Sequence, residues 1–92
     1  MTLLLSTQMP SYEETLRITT DIFQRHVEPE KAKAIRPADN IQADLGLDSL
    51  GVMEVVAEIE DRFEITIPND MLSSIVTVED VAKALVKLNV RV

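Results

Sequence analysis

Ser49-Leu50-Gly51-Val52-Met53-Glu54-Val55-Val56-Ala57-Glu58-Ile59-Glu60-Asp61-Arg62-Phe63 is the stretch whose reading decides the fold. Spaced about 100° apart around an axis, Val52, Val55, Val56, Ile59 and Phe63 fall on one side. The opposite side carries Leu50, Met53, Glu54, Ala57, Glu58 and Asp61. The pattern predicts a helix over 49–63 with one face in a core. The other face is acidic yet keeps two large apolar groups. Scattered surface hydrophobes are common on soluble domains. A docking face explains Leu50 and Met53 better, because apolar anchors supply affinity while surrounding charge supplies orientation.

Working outward, every strong pattern is helical. Ser11-x-x-Glu14 has the form of a capping box, and apolar residues follow at Tyr12, Leu16, Ile18, Ile22, Phe23 and Val27. These predict a helix over 11–27, ended by Pro29. A long connection follows to Asp48, with one helical turn expected around 31–34. Ile35, Ile41, Leu45 and Leu47 are expected to tuck it onto the core. Beyond the central helix, Ile65-Thr66-Ile67 looks extended but has no second strand to pair with. A brief helix is expected at 69–73 after Pro68. Thr77-x-x-Asp80 then caps a last helix at 78–89, whose apolar positions are Val78, Val81, Ala82, Leu85 and Leu88. Lys83, Lys87 and Arg91 lie toward its C-terminal end, where the helix dipole favours cations. The expected fold class is all-α: a small four-helix bundle of three longer helices and one short one, with a long loop between helices one and two. Residues 1–10 are expected to form a flexible N-terminal arm and 11–92 a single domain.

Composition removes several function classes. The chain has 92 residues, 46% of them apolar, which is enough for one modest core. Cysteine is absent, so disulfides, thiolate metal sites and a cysteine nucleophile are excluded together. His26 is the single histidine, and aromatic residues are only 3% with no Trp. A multi-histidine metal site and a base-stacking platform are therefore not expected. The net charge of −7 argues against nucleic acid and for basic partners. That charge is concentrated: 39–80 holds 11 acids and one base, Arg62, whereas the remainder holds five acids and eight bases. No apolar run is long enough to span a membrane. The first residues lack a basic leader, so a cytoplasmic location is expected.

The junction before the central helix is the informative place. In Asp44-Leu45-Gly46-Leu47-Asp48-Ser49-Leu50, Gly46 permits a turn at positive φ, and Asp48 and Ser49 are both helix-capping types. An isolated Asp-Ser pair is no more than a capped helix. Here a glycine turn, flanking leucines, a serine at a helix start and an acidic helix with exposed apolar residues occur together.

This package resembles the acyl carrier protein family, the phosphopantetheine-binding carrier domains. The resemblance runs over 44–68, DLGLDSLGVMEVVAEIEDRFEITIP, and more weakly to the last helix. It implies that Ser49 is the attachment point for covalent 4′-phosphopantetheine, whose thiol the chain itself lacks. It implies that Asp48 assists recognition by a separate phosphopantetheinyl transferase. It also implies that Leu50, Met53, Glu54, Ala57, Glu60 and Asp61 meet basic docking patches on acyl-loading, acyl-transfer or synthase enzymes. The expected product is a monomeric, non-enzymatic carrier of acyl thioesters for fatty-acid, lipid or polyketide biosynthesis. In the family an acyl chain can slip between the helices, with Val52, Val55, Val56, Ile59, Ile75, Val81 and Leu85 as candidate lining here. Met71 and Leu72 are expected to be core.

The sequence also departs from the family pattern. Gly51 stands where fatty-acid carriers often have an acid, and Lys31, Lys33 and Arg36 form a basic cluster beside the loop. These features point to a specialised rather than a housekeeping carrier. Asp48, where peptidyl carriers usually have His, favours acyl cargo. The rival reading is an unmodified acidic helical adaptor that docks basic proteins. A calcium site is disfavoured because no Asp-x-Asp-x-Asp-Gly loop is present, and no nucleophile–base pair suggests an enzyme.

Overall fold

The computed structural model describes residues 12–88. The expected arm at 1–10, the Ser11 cap and Arg91 lie outside the described residues. Among the described residues five helices run in order: α1 Tyr12–Gln24, α2 Pro29–Ala32, α3 Ser49–Phe63, α4 Asn69–Leu72 and α5 Val78–Lys87. The bundle is all-helical among the described residues, apart from one isolated bridge between Asn40 and Thr77. This is the expected small helical bundle of three longer helices, and the turn expected in the long connection forms a short helix of its own.

The extra element corrects the reading of Pro29. α1 stops at Gln24, before the expected 27, and the N–H groups of Arg25 and His26 bond back to the carbonyls of Ile22 and Phe23 in a tightened final turn. Pro29 opens α2 at its first position instead of merely ending α1. Proline is favoured there because its missing N–H would have had no helical acceptor. The single turn expected at 31–34 thus lies two residues earlier.

α3 has the expected bounds. Its end is set by Glu64, which takes a left-handed conformation (φ 57°, ψ 50°) and donates its N–H to the Glu60 carbonyl. Glu60 also accepts the Ile67 N–H on its side chain at 2.8 Å, so the extended link to α4 is held without a partner strand. Pro68 precedes α4 as its N-cap in extended conformation. α5 starts on a full capping box: the Thr77 hydroxyl accepts from the Asp80 N–H at 3.2 Å, while the Asp80 carboxylate accepts the Thr77 N–H at 3.0 Å. The Thr77 N–H, with a further backbone donor from Val76, holds the Asp80 carboxyl below its ordinary pKa.

The core joins Ile18, Ile22 and Phe23 of α1 to Val55, Ile59 and Phe63 of α3 and to Val78, Val81 and Leu85 of α5. Ile41, Leu45, Leu47 and Ile67 close it from the connections. Val52, Val56, Met71, Leu72 and Ile75 pack against its edge, half-buried. Thr15 and Thr19 are fully buried on α1, and their hydroxyls have no hydrogen-bond partner among the described residues.

Candidate functional site

The long connection between α2 and α3 is bolted down before it reaches Ser49. Asn40 anchors a compact knot: its side-chain carbonyl accepts the N–H groups of Gln42 (3.0 Å) and Ala43 (2.8 Å), and its own N–H donates to the Asp44 carboxylate at 2.7 Å. Backbone bonds from Ile41 to Val76, Val78 to Asp39 and Glu79 to Pro37 tie this loop to the entry of α5. Leu45 and Leu47 are buried on either side of Gly46, which turns the chain at φ 76°. A residue with a side chain is strained in that conformation. The loop therefore delivers Asp48 and Ser49 from a fixed platform.

Asp48 is the N-cap of α3. Its backbone is extended, its side chain accepts the Gly51 N–H at 2.8 Å, and its carbonyl accepts the Val52 N–H at 2.9 Å. The Ser49 and Leu50 N–H groups have no acceptor among the described residues. Ser49 is the first residue of the helix, and it is solvent-exposed. A hydroxyl there stands at the positive end of the helix dipole, which favours an attached phosphodiester. Gly51 gains a structural reason for being glycine. A Cβ at that position would lie 3.1 Å from Leu47 Cδ2 and 3.3 Å from Asp48 Oδ1, so its absence lets the cap close.

Beyond Ser49, α3 presents the stripe read from its periodicity. Leu50 and Met53 are each 68% exposed, and Glu54, Ala57 and Asp61 are exposed with them. The other acids of the helix are engaged internally. Glu60 lies half-buried and holds the Ile67 N–H. Glu58 accepts a hydrogen bond from Arg25 and lies 2.7 Å from His26 Nε2. The hydrogen bond from Arg25, then that from His26, holds the Glu58 carboxyl below its ordinary pKa. Glu58 thus pins the end of α1 to α3 and is not a free acid on the outer face.

Sequence reasoning missed Val76, a third exposed apolar residue. It rims a small cleft of about 140 Å³ lined also by Asn40, Ile41, Gln42, Val52 and Ile75. Val52 lies one turn along α3 from Ser49, so the cleft opens at the same end of the helix. No periodicity marks Val76, because it sits in a connection. Of the candidate acyl-lining residues, Val52 and Ile75 reach this cleft, whereas Val55, Ile59, Val81 and Leu85 are packed in the core. No cluster of potential metal ligands occurs among the described residues. Within them no helix is long and apolar enough to cross a membrane.

Comparison with known proteins agrees with this geometry. Residues 20–85 match the family model described as a phosphopantetheine attachment site. The chain is 39% identical over 62 residues to an acyl carrier protein of Streptomyces coelicolor, covering 67% of each chain. It is 36% identical over 73 residues to an acyl carrier protein of Prochlorococcus marinus, covering 79% of this chain and 90% of that one. Its fold matches a solved structure of a candidate acyl carrier protein from Mycobacterium tuberculosis with a TM-score of 0.64 and 28% identity, over 85% of this chain and 99% of the other. The chain therefore belongs to the acyl carrier protein family of phosphopantetheine-binding domains, carriers that hold 4′-phosphopantetheine covalently.

Proposed function

We propose that Ser49 is the residue that carries the prosthetic group, and that the chain holds acyl intermediates as thioesters on the thiol at its tip. The observation that carries this reading is the exposed Ser49 hydroxyl at the first position of α3, directly after the Asp48 cap. The arm supplies a thiol to a chain without cysteine. The chain's own part is to present the hydroxyl and favour the phosphodiester. The two N–H groups left open at the start of α3 and the helix dipole do the latter. A separate phosphopantetheinyl transferase activates the hydroxyl, so the serine itself need not be a strong nucleophile. Asp48 serves as cap and as a recognition acid for that transferase.

The same proposal assigns Leu50, Met53, Glu54, Ala57 and Asp61 to partner docking, with Glu60 at the flank. Leu50 and Met53 supply apolar contact. Glu54 and Asp61 steer basic patches on acyl-loading, acyl-transfer or synthase enzymes of fatty-acid, lipid or polyketide biosynthesis. Exposed ion pairs are individually worth about 0–1 kcal/mol and are screened by salt. Such weak contacts suit a shuttle that must leave each enzyme after delivery. Gly51 and the basic cluster at 31–36 support a specialised carrier over a housekeeping one. We further read 11–92 as one carrier domain behind an arm at 1–10. It acts as a monomer in the cytoplasm, where a pantetheine thiol stays reduced.

The test is incubation of the purified chain with coenzyme A and a broad-specificity phosphopantetheinyl transferase, read by intact mass and peptide mapping. The expected result is one phosphopantetheine added on Ser49, none on Ser49→Ala, and slower transfer to Glu54→Lys and Leu50→Ala. No addition with several transferases favours the unmodified adaptor. Unchanged transfer and acyl loading in Glu54→Lys and Leu50→Ala would refute the docking face.

A further inference from the structure

Among the described residues three other cations are ion-paired, Arg62 lies over the Phe63 ring at 5.4 Å from its centroid, and Lys87 stands alone without an ion pair. Arg17 pairs with Asp21, Arg25 with Glu58 and Lys83 with Glu79. Lys31, Lys33 and Arg36 differ in lying together: all three are exposed, and none has a carboxylate at ion-pair distance among the described residues. Glu28 and Glu30 precede the turn in the chain but make no ion pair with it, and two further acids beside it are engaged by backbone donors. Asp39 and Asp44 line the same recess of about 300 Å³ as Lys31 and Arg36. Yet Asp39 accepts the Arg36 backbone N–H at 2.8 Å, and Asp44 accepts that of Asn40 at 2.7 Å. A chain of net charge −7 thus leaves three neighbouring cations without an ion pair among the described residues.

The cluster is also fixed in place and close to the junction. α2 is tied to α1 by a hydrogen bond from the Gln24 side chain to the Ala32 carbonyl at 3.2 Å, and Ile35 packs against the core. Lys31 Nζ lies 3.0 Å from the point that a Cβ on Gly46 would occupy, and Gly46 is three residues before Ser49. A protein seated over Ser49 and the first turns of α3 therefore has this cationic turn beside it.

We propose that the turn at 31–36 is a second docking site, cationic where α3 is anionic, which receives an acidic patch on a partner protein. Only the pairing of the two patches on one partner rests on the docking role given to α3. Charge complementarity selects a protein over a phosphate-rich polymer or an anionic membrane. Either of those extends like charge across the acidic 39–80 region and is repelled by it, whereas a compact acidic patch beside a basic one fits both surfaces. Partners built this way discriminate this carrier from one whose loop is neutral or acidic, since like charges there would oppose binding.

The test titrates the intact, isotope-labelled chain with a hexaglutamate peptide, a hexa-arginine peptide and phosphatidylglycerol vesicles, followed by amide NMR. About 20 mM salt keeps the screening length near roughly 20 Å. Hexaglutamate is expected to shift amides in 30–37, and hexa-arginine those in 50–61. Loss of three exposed pairs in K31Q/K33Q/R36Q should weaken hexaglutamate binding about tenfold and leave the hexa-arginine response intact. The charge-matched variant R17Q/K83Q/K87Q should keep both responses. The proposal is overturned if hexaglutamate moves no amide in 30–37, if the charge-matched variant loses as much affinity, or if the turn answers to vesicles and not to the peptide. A failure of the Ser49 or α3 reading would leave the hexaglutamate result untouched, so the two are told apart.

Discussion

Replacing Glu58 by Gln separates the structural acids of α3 from its docking acids. The Glu58 side chain is 31% exposed and joins two groups from the end of α1, Arg25 and His26. Hydrogen bonds to a charged group are worth about 1.5–3 kcal/mol when well shielded, and exposed ion pairs about 0–1 kcal/mol. The Arg25 side chain is 57% exposed, which places this cluster toward the low end. Glu58→Gln should therefore cost about 1.5 kcal/mol in total, a fall of roughly 1 M in the urea midpoint for a domain of this size. The pH dependence has a fixed sign. Because folding lowers the Glu58 pKa, its contribution is fully present above the unfolded value of about 4.3. It is lost as pH falls through the lower folded value. The gap between wild type and Glu58→Gln should thus be wide at neutral pH and close in acid, read by circular dichroism in urea. Glu54→Gln, on an exposed residue without an ion pair among the described residues, should stay within about 0.5 kcal/mol of wild type. Equal midpoints for wild type and Glu58→Gln at neutral pH, or a gap that persists in acid, would refute the clamp.

Two further substitutions test the platform and the core. Gly46→Ala forces a side chain into a left-handed conformation and toward Lys31 Nζ; it should destabilise the fold by about 1–2 kcal/mol in the same urea assay. Thr19→Val removes a fully buried hydroxyl that has no partner among the described residues, while keeping the side-chain shape. It should raise stability by about 1 kcal/mol, or roughly 5 °C in thermal unfolding, and a loss instead would show that the hydroxyl is satisfied.

Legibility in the sequence followed the range of the interactions concerned. α3 was readable to its end residues because its apolar spacing and its capping residues are local and agree. The capping box of α5 was readable for the same reason. Pro29 was misread because proline both stops one helix and starts another, and spacing alone does not say which. Glu58 looked like an outer-face acid because helical angle ignores what approaches from elsewhere; its partners lie over 30 positions away. Thr15 and Thr19 carry polar side chains, so no apolar pattern marks them as core, yet both are buried on the face of α1 turned to the bundle. The stripe Leu50, Met53, Glu54, Ala57 and Asp61 was visible because the core pattern of α3 fixes its opposite side. The cleft by Val76 was not, because it forms only where α3 meets two connections.

The most direct measurement is the mass of this chain isolated from the cells that make it, fragmented to locate any group and repeated after hydroxylamine, which cleaves thioesters. The predicted result is phosphopantetheine on the Ser49 peptide, part of it bearing an acyl mass that hydroxylamine removes. A Ser49 peptide that is bare in every preparation, or a modification carried by another residue, would contradict the account.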